Sequence, residues 1–147
     1  MRIPIVFATD ENYLFYACVA ITSMAQIAKE DTFYQIYILV DTDFTDSEHL
    51  IDKLKRYHNI HIEIVCVDST FFQNVTIHNQ HVTKATFYRL SLCDLIAEDK
   101  CIYLDGDILV TEDLEELYRT ELGNYYLAGC RDIWIDLLSE KERENDV

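Results

Sequence analysis

Asp105 and Asp107 are the residues whose type and spacing most clearly suggest chemistry, because they flank Gly106 between two apolar runs. In extended backbone, residues i and i+2 point to the same side, roughly 6.6 Å apart along the strand. Two carboxylates in this position can bind a hard divalent cation, directly or through water. The glycine between them leaves room for a ligand to approach the backbone. The arrangement indicates a metal-bridged diphosphate, since the cation supplies the positive charge that a diphosphate needs.

The same three residues have a second interpretation. An Asp-Gly pair between alternating hydrophobic residues is also a strong signal for a β-hairpin turn. Taken alone, the tripeptide Asp105-Gly106-Asp107 favours that turn, because short motifs match by accident. Its position after the fourth strand of an alternating strand–helix series favours the metal site instead.

A second polar cluster, Asp10-Glu11-Asn12-Tyr13, follows the first apolar run of the chain. Asp10 or Asn12 is predicted to cap the helix that starts near Tyr13. Polar side chains and free backbone N–H groups at such a junction can also hold the base and ribose of a nucleotide. Tyr13 either stacks on that base or joins the hydrophobic core, and the sequence leaves both alternatives open.

Two of the few cations, Lys84 and Arg89, lie on a helix predicted to begin near Thr83. A spacing of five does not place them on one helix face. Lys84 is predicted to be a solvated helix residue. Arg89 is flanked by Phe87 and Leu90, which indicates partial burial, and a partly buried arginine needs an anionic partner.

The order of apolar and polar segments predicts a mainly parallel α/β sheet with helices on both faces. Predicted strands cover residues 3–8, 34–40, 60–67, 101–104 and 125–130. Predicted helices cover residues 13–28, 45–57, 83–97, 111–118 and 133 to the end. The second has a capping pattern at Thr45, and Thr111 is predicted to cap the fourth. Residues 68–80 are predicted to be a loop. Ligands of such folds bind beyond the carboxyl ends of the strands, where the strand order reverses. Both acidic clusters follow predicted strands and are expected at that edge.

Composition limits the possible partners. The chain has 147 residues, half of them hydrophobic, and 27 acidic against 12 basic side chains give a net charge of −15. The length fits a single domain over residues 1–147, and the apolar content excludes a disordered acidic tail. The negative charge disfavours nucleic acid as a partner. No apolar run is long enough to predict a membrane span, and the charged ending suggests a portion of a longer protein.

The five cysteines are scattered singly, without a C-x-x-C pair. Their spacing fits neither a zinc ribbon nor a thioredoxin-type redox site. Free, scattered cysteines are typical of a reducing compartment, so we expect the protein in the cytoplasm.

Three segments resemble glycosyltransferase family 8, which includes bacterial lipopolysaccharide galactosyl- and glucosyltransferases and glycogenin. Residues 5–13 (IVFATDENY) resemble the opening strand of that family, and residues 86–90 (TFYRL) resemble its arginine-bearing helix. Residues 102–110 (IYLDGDILV) resemble its D-x-D strand. The likeness extends along nearly the whole chain in the expected order.

The resemblance implies a GT-A fold, which is Rossmann-like and nucleotide-binding, and transfer of galactose or glucose from a UDP-sugar to a glycan or glycolipid acceptor. It implies retention of anomeric configuration, Mn²⁺ or Mg²⁺ as cofactor, and peripheral association with the inner face of the membrane where the acceptor is lipid-linked. Asp105 and Asp107 are expected to bind the metal, and His81 and Asp132 to contact the donor or acceptor sugar. The nucleotide-binding residues implied are Ala8, Thr9, Asp10, Asn12, Tyr13, Arg89, Asp105, Gly106 and Asp107.

Two parts of the family pattern have no counterpart. Family members are longer, and their C-terminal part supplies a third metal ligand, a histidine, together with a lysine that contacts the diphosphate. The present sequence has no histidine after His81. No carboxylate stands out as the nucleophile of a retaining reaction, so no catalytic nucleophile is assigned.

Two other functions stay open at this point. A receiver-like signalling domain also places acidic residues at strand ends, and Asp10, Glu11 and Asp68 fit that pattern loosely. Such a domain needs a lysine after a late strand, where this chain has Arg131-Asp132. The other alternative is a nucleotide-binding fragment without catalytic activity.

Overall fold

The computed structural model describes residues 1–41, 48–72 and 84–131 of the chain. The four strands of these ranges form one sheet: β1 (Arg2–Ala8), β2 (Phe33–Val40), β3 (Ile60–Cys66) and β4 (Ile102–Tyr103). The helices of these ranges are α1 (Leu14–Ile27), α2 (Glu48–Leu54), α3 (Ala85–Tyr88), α4 (Leu92–Leu95) and α5 (Glu115–Tyr118). Short 3₁₀ turns cover Ser69–Phe72 and Arg89–Ser91. None of the helices in the described ranges has the length and apolar content needed to cross a bilayer.

The sheet has the strand order β3-β2-β1-β4, and all three pairings are parallel. Ile5 in β1 lies opposite Ile36 in β2 on one side and Ile102 in β4 on the other. The chain therefore builds outward from β1 to β3 and then crosses back to place β4 on the other side of β1. This reversal brings the segments that follow β1 and β4 next to each other at the carboxyl edge of the sheet.

Helices cover both faces of the sheet, as predicted. Along β1, Ile3, Ile5 and Phe7 face the cluster that includes residues of α1 and α2, whereas Val6 faces the cluster that includes Ala85 and Tyr88. Both sets of side chains are fully buried, because a parallel strand between two helical layers has no solvent face. The near-continuous apolar character of the predicted strands follows from this position.

The single helix predicted over 83–97 is instead α3, a 3₁₀ turn and α4, with residue 83 outside the described residues. Only Ala85 and Tyr88 of this stretch are buried, while Leu90 is 73% exposed. Helices in proteins owe most of their stability to packing of one face. Phe87, Leu92, Leu95 and Ile96 are partly buried against the same cluster, so the stretch packs on the sheet although its helix is interrupted at Arg89–Ser91.

The strand predicted over 125–130 is wrong. Tyr125, Tyr126 and Leu127 are 79%, 102% and 78% exposed, and the backbone there makes no strand pairing. A strand needs a neighbour with free backbone groups. The edge strand β4 has only two residues, so in the described part of the chain the apolar run finds no partner.

Several other boundaries differ from the predictions. Helix α2 ends at Leu54 rather than at 57, and its predicted cap at 45–47 lies outside the described residues. The predicted loop contains the 3₁₀ turn Ser69–Phe72, whereas 73–83 and the predicted helix from 133 on are outside the described residues. The hairpin alternative for Asp105-Gly106-Asp107 is also wrong, since Ile108–Leu109–Val110 form no strand.

Asp113, and not the predicted Thr111, supplies the side-chain bond at the start of α5. Its Oδ1 accepts the backbone N–H of Glu115 at 2.9 Å. Its Oδ2 accepts the backbone N–H of Lys29 at 2.8 Å and the hydroxyl of Tyr34 at 3.3 Å. Burial acts to raise the pKa of Asp113, but these hydrogen bonds outweigh it and hold the pKa below its usual value. Asp113 thus ties α5 to the connection between α1 and β2.

We expect Asp113→Ala to lower the free energy of unfolding by about 2 kcal/mol at neutral pH, because hydrogen bonds to a charged group are lost. A lowered pKa means that this stabilisation is present above the unfolded value of about 3.9 and is lost as the pH falls through the folded value. Urea unfolding of both proteins between pH 7 and 3 measures the difference, which should shrink at acid pH. Glu112→Ala, at the exposed neighbouring position, is the control; an equal loss in that variant would contradict the prediction.

Candidate active site

A cavity of about 420 Å³ lies at the carboxyl edge of the sheet, where β1 and β4 are adjacent. Its walls come from the end of β1, the start of α1, the α3 region and the segment that includes β4. The lining residues are Ala8, Thr9, Asp10, Tyr13, Ala85, Thr86, Arg89, Tyr103, Asp105, Gly106 and Asp107. Both acidic clusters predicted from the sequence therefore meet at one cavity.

Asp10 closes the turn between β1 and α1. Its Oδ1 accepts the backbone N–H groups of Asn12 at 2.9 Å and of Tyr13 at 3.1 Å. Its backbone carbonyl accepts the N–H of Leu14, the first residue of α1, at 3.0 Å. The predicted capping role of Asp10 is confirmed. These bonds hold the carboxylate at the cavity wall.

Asp105, Gly106 and Asp107 leave the sheet directly after β4. The N–H of Leu104 donates to the carbonyl of Val6 at 2.9 Å, and the chain then turns at Gly106 and Asp107. Both aspartates are exposed. A Cβ on Gly106 would lie 3.5 Å from the Cβ of Ala17 in α1. This is an ordinary van der Waals distance, so Gly106 lies beside α1 without needing to be glycine for that contact, and the approach of a ligand to its backbone stays a prediction.

Arg89 faces the same cavity from the other side. Its Nη2 lies 3.3 Å from Oδ1 of Asp105, and its guanidinium carbon lies 4.5 Å from the centre of the Tyr103 ring. Its Nε donates to the carbonyl of Thr86 at 2.8 Å. The prediction of a partly buried arginine with an anionic partner is confirmed, since its side chain is 39% exposed. Lys84 is exposed and does not line the cavity, as predicted.

Eight of the nine residues predicted to bind a nucleotide line this cavity, and Asn12 is the exception. Asn12 is exposed and lies outside the lining. His81 and Asp132 lie outside the described residues. Tyr13 lines the cavity and is 42% exposed, with its ring centre 5.7 Å from that of Tyr16, so the core alternative for this tyrosine is wrong. Its stacking on a base stays a prediction.

Two tyrosines near the cavity were not singled out from the sequence. The Tyr103 ring lies against Arg89, and burial raises the pKa of its hydroxyl. The sequence could have indicated Tyr103, because it lies two residues before Asp105 and alternate residues of a strand share a side. Tyr88 is 1% exposed and hydrogen-bonded to Asp41, and burial followed by this contact raises its pKa. Nothing in the sequence indicated that second pair, because it joins two distant segments.

The potential metal-ligand atoms of the cavity suit a hard divalent cation. Asp105 and Asp107 provide carboxylate oxygens, which Mg²⁺ and Mn²⁺ prefer over nitrogen and sulfur. Across residues 1–41, 48–72 and 84–131, no three His, Cys, Asp or Glu side chains are grouped closely enough to hold a metal ion. The two aspartates thus fit such a cation as a partial ligand set, with water or ligand oxygens filling the rest.

Comparison with known proteins decides the family. The model of glycosyl transferase family 8 matches residues 4–146. The chain belongs to glycosyltransferase family 8. It is 30% identical to the glycosyltransferase GlyE of Streptococcus pneumoniae over 129 residues, which are 86% of this chain and 31% of that protein. It is 31% identical to GlyB of the same species over 137 residues, which are 92% of this chain and 33% of that protein.

A solved structure supports the fold of this family 8 chain. The galactosyltransferase LgtC, solved in complex with donor and acceptor sugar analogues, is similar with a TM-score of 0.83 and 30% identity. The alignment covers 97% of this chain and 51% of LgtC. It confirms the α/β fold that the family resemblance implied. The chain spans about half the length of LgtC and less than half of the curated relatives it matches.

The strand order argues against the receiver-like alternative. Receiver domains have the order 2-1-3-4-5, in which β1 and β3 are neighbours. In this family 8 chain β2 separates β1 from β3, so Asp68 after β3 is not beside Asp10 after β1. The observed order matches the first four strands of the dinucleotide-binding arrangement 3-2-1-4-5-6.

The capping role of Asp10 can be measured apart from any ligand. We expect Asp10→Ala to lower the free energy of unfolding by about 1 kcal/mol, because two backbone N–H groups lose their acceptor. Asp10→Asn keeps an oxygen at that position and should lose no more than a few tenths. Chemical denaturation of the three proteins tests this difference. An equal loss in both variants would show that the negative charge, and not the hydrogen bonds, stabilises the turn.

Proposed function

We propose that this chain forms the nucleotide-sugar-binding part of a metal-dependent glycosyltransferase. The reaction proposed is transfer of galactose or glucose from a UDP-sugar to a glycan or lipopolysaccharide-type acceptor, with retention of configuration. The observation that carries the proposal is the convergence of Asp10, Asp105 and Asp107 on one cavity at the point where the strand order reverses.

The cavity has properties that suit a nucleotide diphosphate. Its volume of about 420 Å³ lies within the usual range for small-molecule sites, about 300–1,000 Å³. The chain carries a net charge of −15, so a free diphosphate would be repelled unless a cation screened it. A pair of carboxylates beside a single arginine meets this need, because the carboxylates hold the cation and the arginine faces the anion.

Five of the lining residues have a role in this proposal. Asp10 and the exposed Tyr13 ring hold the uridine, through hydrogen bonds and stacking. Asp105 and Asp107 hold Mn²⁺ or Mg²⁺, and Arg89 faces the phosphates. The cation supplies Lewis-acid stabilisation of the negative charge that develops on the UDP leaving group. The cavity residues contribute further to the rate by holding the donor sugar nucleotide in a fixed orientation.

The sugar and the acceptor are proposed by similarity alone. LgtC is described as a galactosyltransferase and was solved with donor and acceptor sugar analogues, which supports a hexose donor for its relatives. We propose that the acceptor is bound in part by polypeptide corresponding to the other half of the longer relatives. We propose that the reaction takes place in the cytoplasm, at the inner face of the membrane when the acceptor is lipid-linked.

Calorimetric titration of the purified chain with UDP tests the proposal. We expect binding in the presence of Mn²⁺, with at least a tenfold loss of affinity when EDTA replaces the metal. UMP should bind more weakly than UDP, because it lacks the second phosphate that a bridging cation contacts. Equal binding of UDP with and without Mn²⁺, or equal binding of UDP and ADP, would contradict the proposed site.

A second candidate is a nucleotide-binding unit without transfer activity, which is favoured by the partial ligand set that Asp105 and Asp107 form among the described residues. Incubation with UDP-galactose or UDP-glucose and Mn²⁺ separates the two candidates. Release of UDP above the rate of the protein-free control supports the transferase. Tight UDP binding without such release supports the binding unit.

A further inference from the structure

Arg89 and a divalent cation would need the same oxygen of Asp105. The Nη2 of Arg89 lies 3.3 Å from Oδ1 of Asp105, within the range of a salt bridge. Asp105 is also one of the two carboxylates that line the cavity as candidate metal ligands. A carboxylate oxygen that faces a guanidinium on one side has fewer open directions for a cation.

We propose that Arg89 competes with the divalent cation for Asp105, so that cation binding requires the guanidinium to move off this carboxylate. This inference rests on the proposed metal role of Asp105 and Asp107. It makes Arg89 a resident counter-ion of the metal site as well as a lining residue.

The other contacts of Arg89 allow this exchange without loss of the side chain from the cavity. Its guanidinium lies over the Tyr103 ring at 4.5 Å, and its Nε donates to the carbonyl of Thr86 at 2.8 Å. The bond to Thr86 does not involve Nη2. The guanidinium can therefore shift off Asp105 while this bond keeps the side chain at the cavity that it lines.

Coupling between cation and anion follows from the same geometry. An anionic ligand that attracts Arg89 away from Asp105 leaves that carboxylate available and raises the affinity for the cation. By thermodynamic linkage, the cation then raises the affinity for the anion by the same factor. Arg89 thus adds to the coupling that a direct cation–phosphate contact already provides.

The expected effect is moderate, because both side chains are partly solvated: 39% of Arg89 and 61% of Asp105 is exposed. An exposed salt bridge contributes up to about fivefold to an equilibrium constant, and repulsion between Arg89 and the incoming cation adds to this. We expect Arg89→Gln to bind Mn²⁺ alone about three- to tenfold more tightly than the native chain.

Electron paramagnetic resonance of free Mn²⁺ measures this affinity without nucleotide or turnover. Lys84→Gln is the matched control, since it removes one positive charge from the same region without lining the cavity. Arg89→Lys keeps the charge and should stay within about twofold of the native affinity. In calorimetry, UDP should raise the Mn²⁺ affinity of the native chain by a larger factor than that of Arg89→Gln.

Three outcomes would overturn the inference. Equal Mn²⁺ affinity of Arg89→Gln and the native chain contradicts the competition while leaving the metal site intact. An equal gain in Lys84→Gln attributes the effect to net charge. Absence of Mn²⁺ binding in every form contradicts the proposed metal dependence itself, and the inference fails with it. If Arg89→Gln does not fold, judged by circular dichroism, Arg89→Ala takes its place with the same expected gain.

Discussion

Mn²⁺-dependent binding of UDP is expected to disappear when Asp105 and Asp107 are both replaced by asparagine. The change removes two negative charges from the cavity and keeps the size and polarity of the side chains. Each close pair of unit charges is worth about 1 kcal/mol in water and about 4 kcal/mol at a protein surface before desolvation. Loss of two such pairs with a divalent ion corresponds to at least a hundredfold loss of Mn²⁺-dependent affinity, measured by calorimetry.

Stability should change little in this variant. Both aspartates are exposed, and substitutions at such positions usually stay within about 0.5 kcal/mol. The matched control is Glu112→Gln with Glu116→Gln, which removes two exposed charges from the same region of the chain outside the cavity. Retention of Mn²⁺-dependent UDP binding by Asp105→Asn/Asp107→Asn, or an equal loss in the glutamine control, would contradict the proposed site.

The central strands of the sheet, β1 and β2, were largely predictable because they are buried on both faces. The segments of β1 and β2 are nearly continuous runs of apolar residues, and that pattern is typical of a parallel strand between two helical layers. The stretches 83–97 and 125–130 are also rich in apolar residues, but the first forms an interrupted helix and the second forms no strand. Their structure depends on which neighbours are available, and a local pattern carries no information about neighbours. Residues 125–130 form no strand because the edge strand β4 is only two residues long.

The acidic half of the site was predictable for a related reason. Carboxyl ends of parallel strands meet at one edge, so Asp10, Asp105 and Asp107 were expected on the same edge of the sheet. The adjacency of β1 and β4, which places them on one cavity, required the strand order. The contact between Arg89 and Asp105 was even harder to predict from the sequence. It depends on where the broken helical stretch directs one side chain.

Phe7→Ala is expected to have the largest effect on stability. Phe7 is fully buried in β1, the strand between β2 and β4, and belongs to the core cluster that includes residues of α1 and α2. Replacing a buried phenylalanine by alanine usually lowers the free energy of unfolding by about 3–5 kcal/mol, because transfer energy is lost and a cavity remains. For a chain of this size the melting temperature should fall by about 10 °C or more.

Phe7→Leu is the conservative control, since it leaves a much smaller cavity than alanine and should therefore lower the free energy of unfolding by less. Phe7 lies near the end of β1, three residues before Asp10, so the cavity left by alanine is close to the backbone that holds the site. At temperatures where Phe7→Ala stays folded, its UDP affinity should therefore also fall, whereas that of Phe7→Leu should not. A melting temperature of Phe7→Ala within 2 °C of the native value would show that β1 is not the central element of the core.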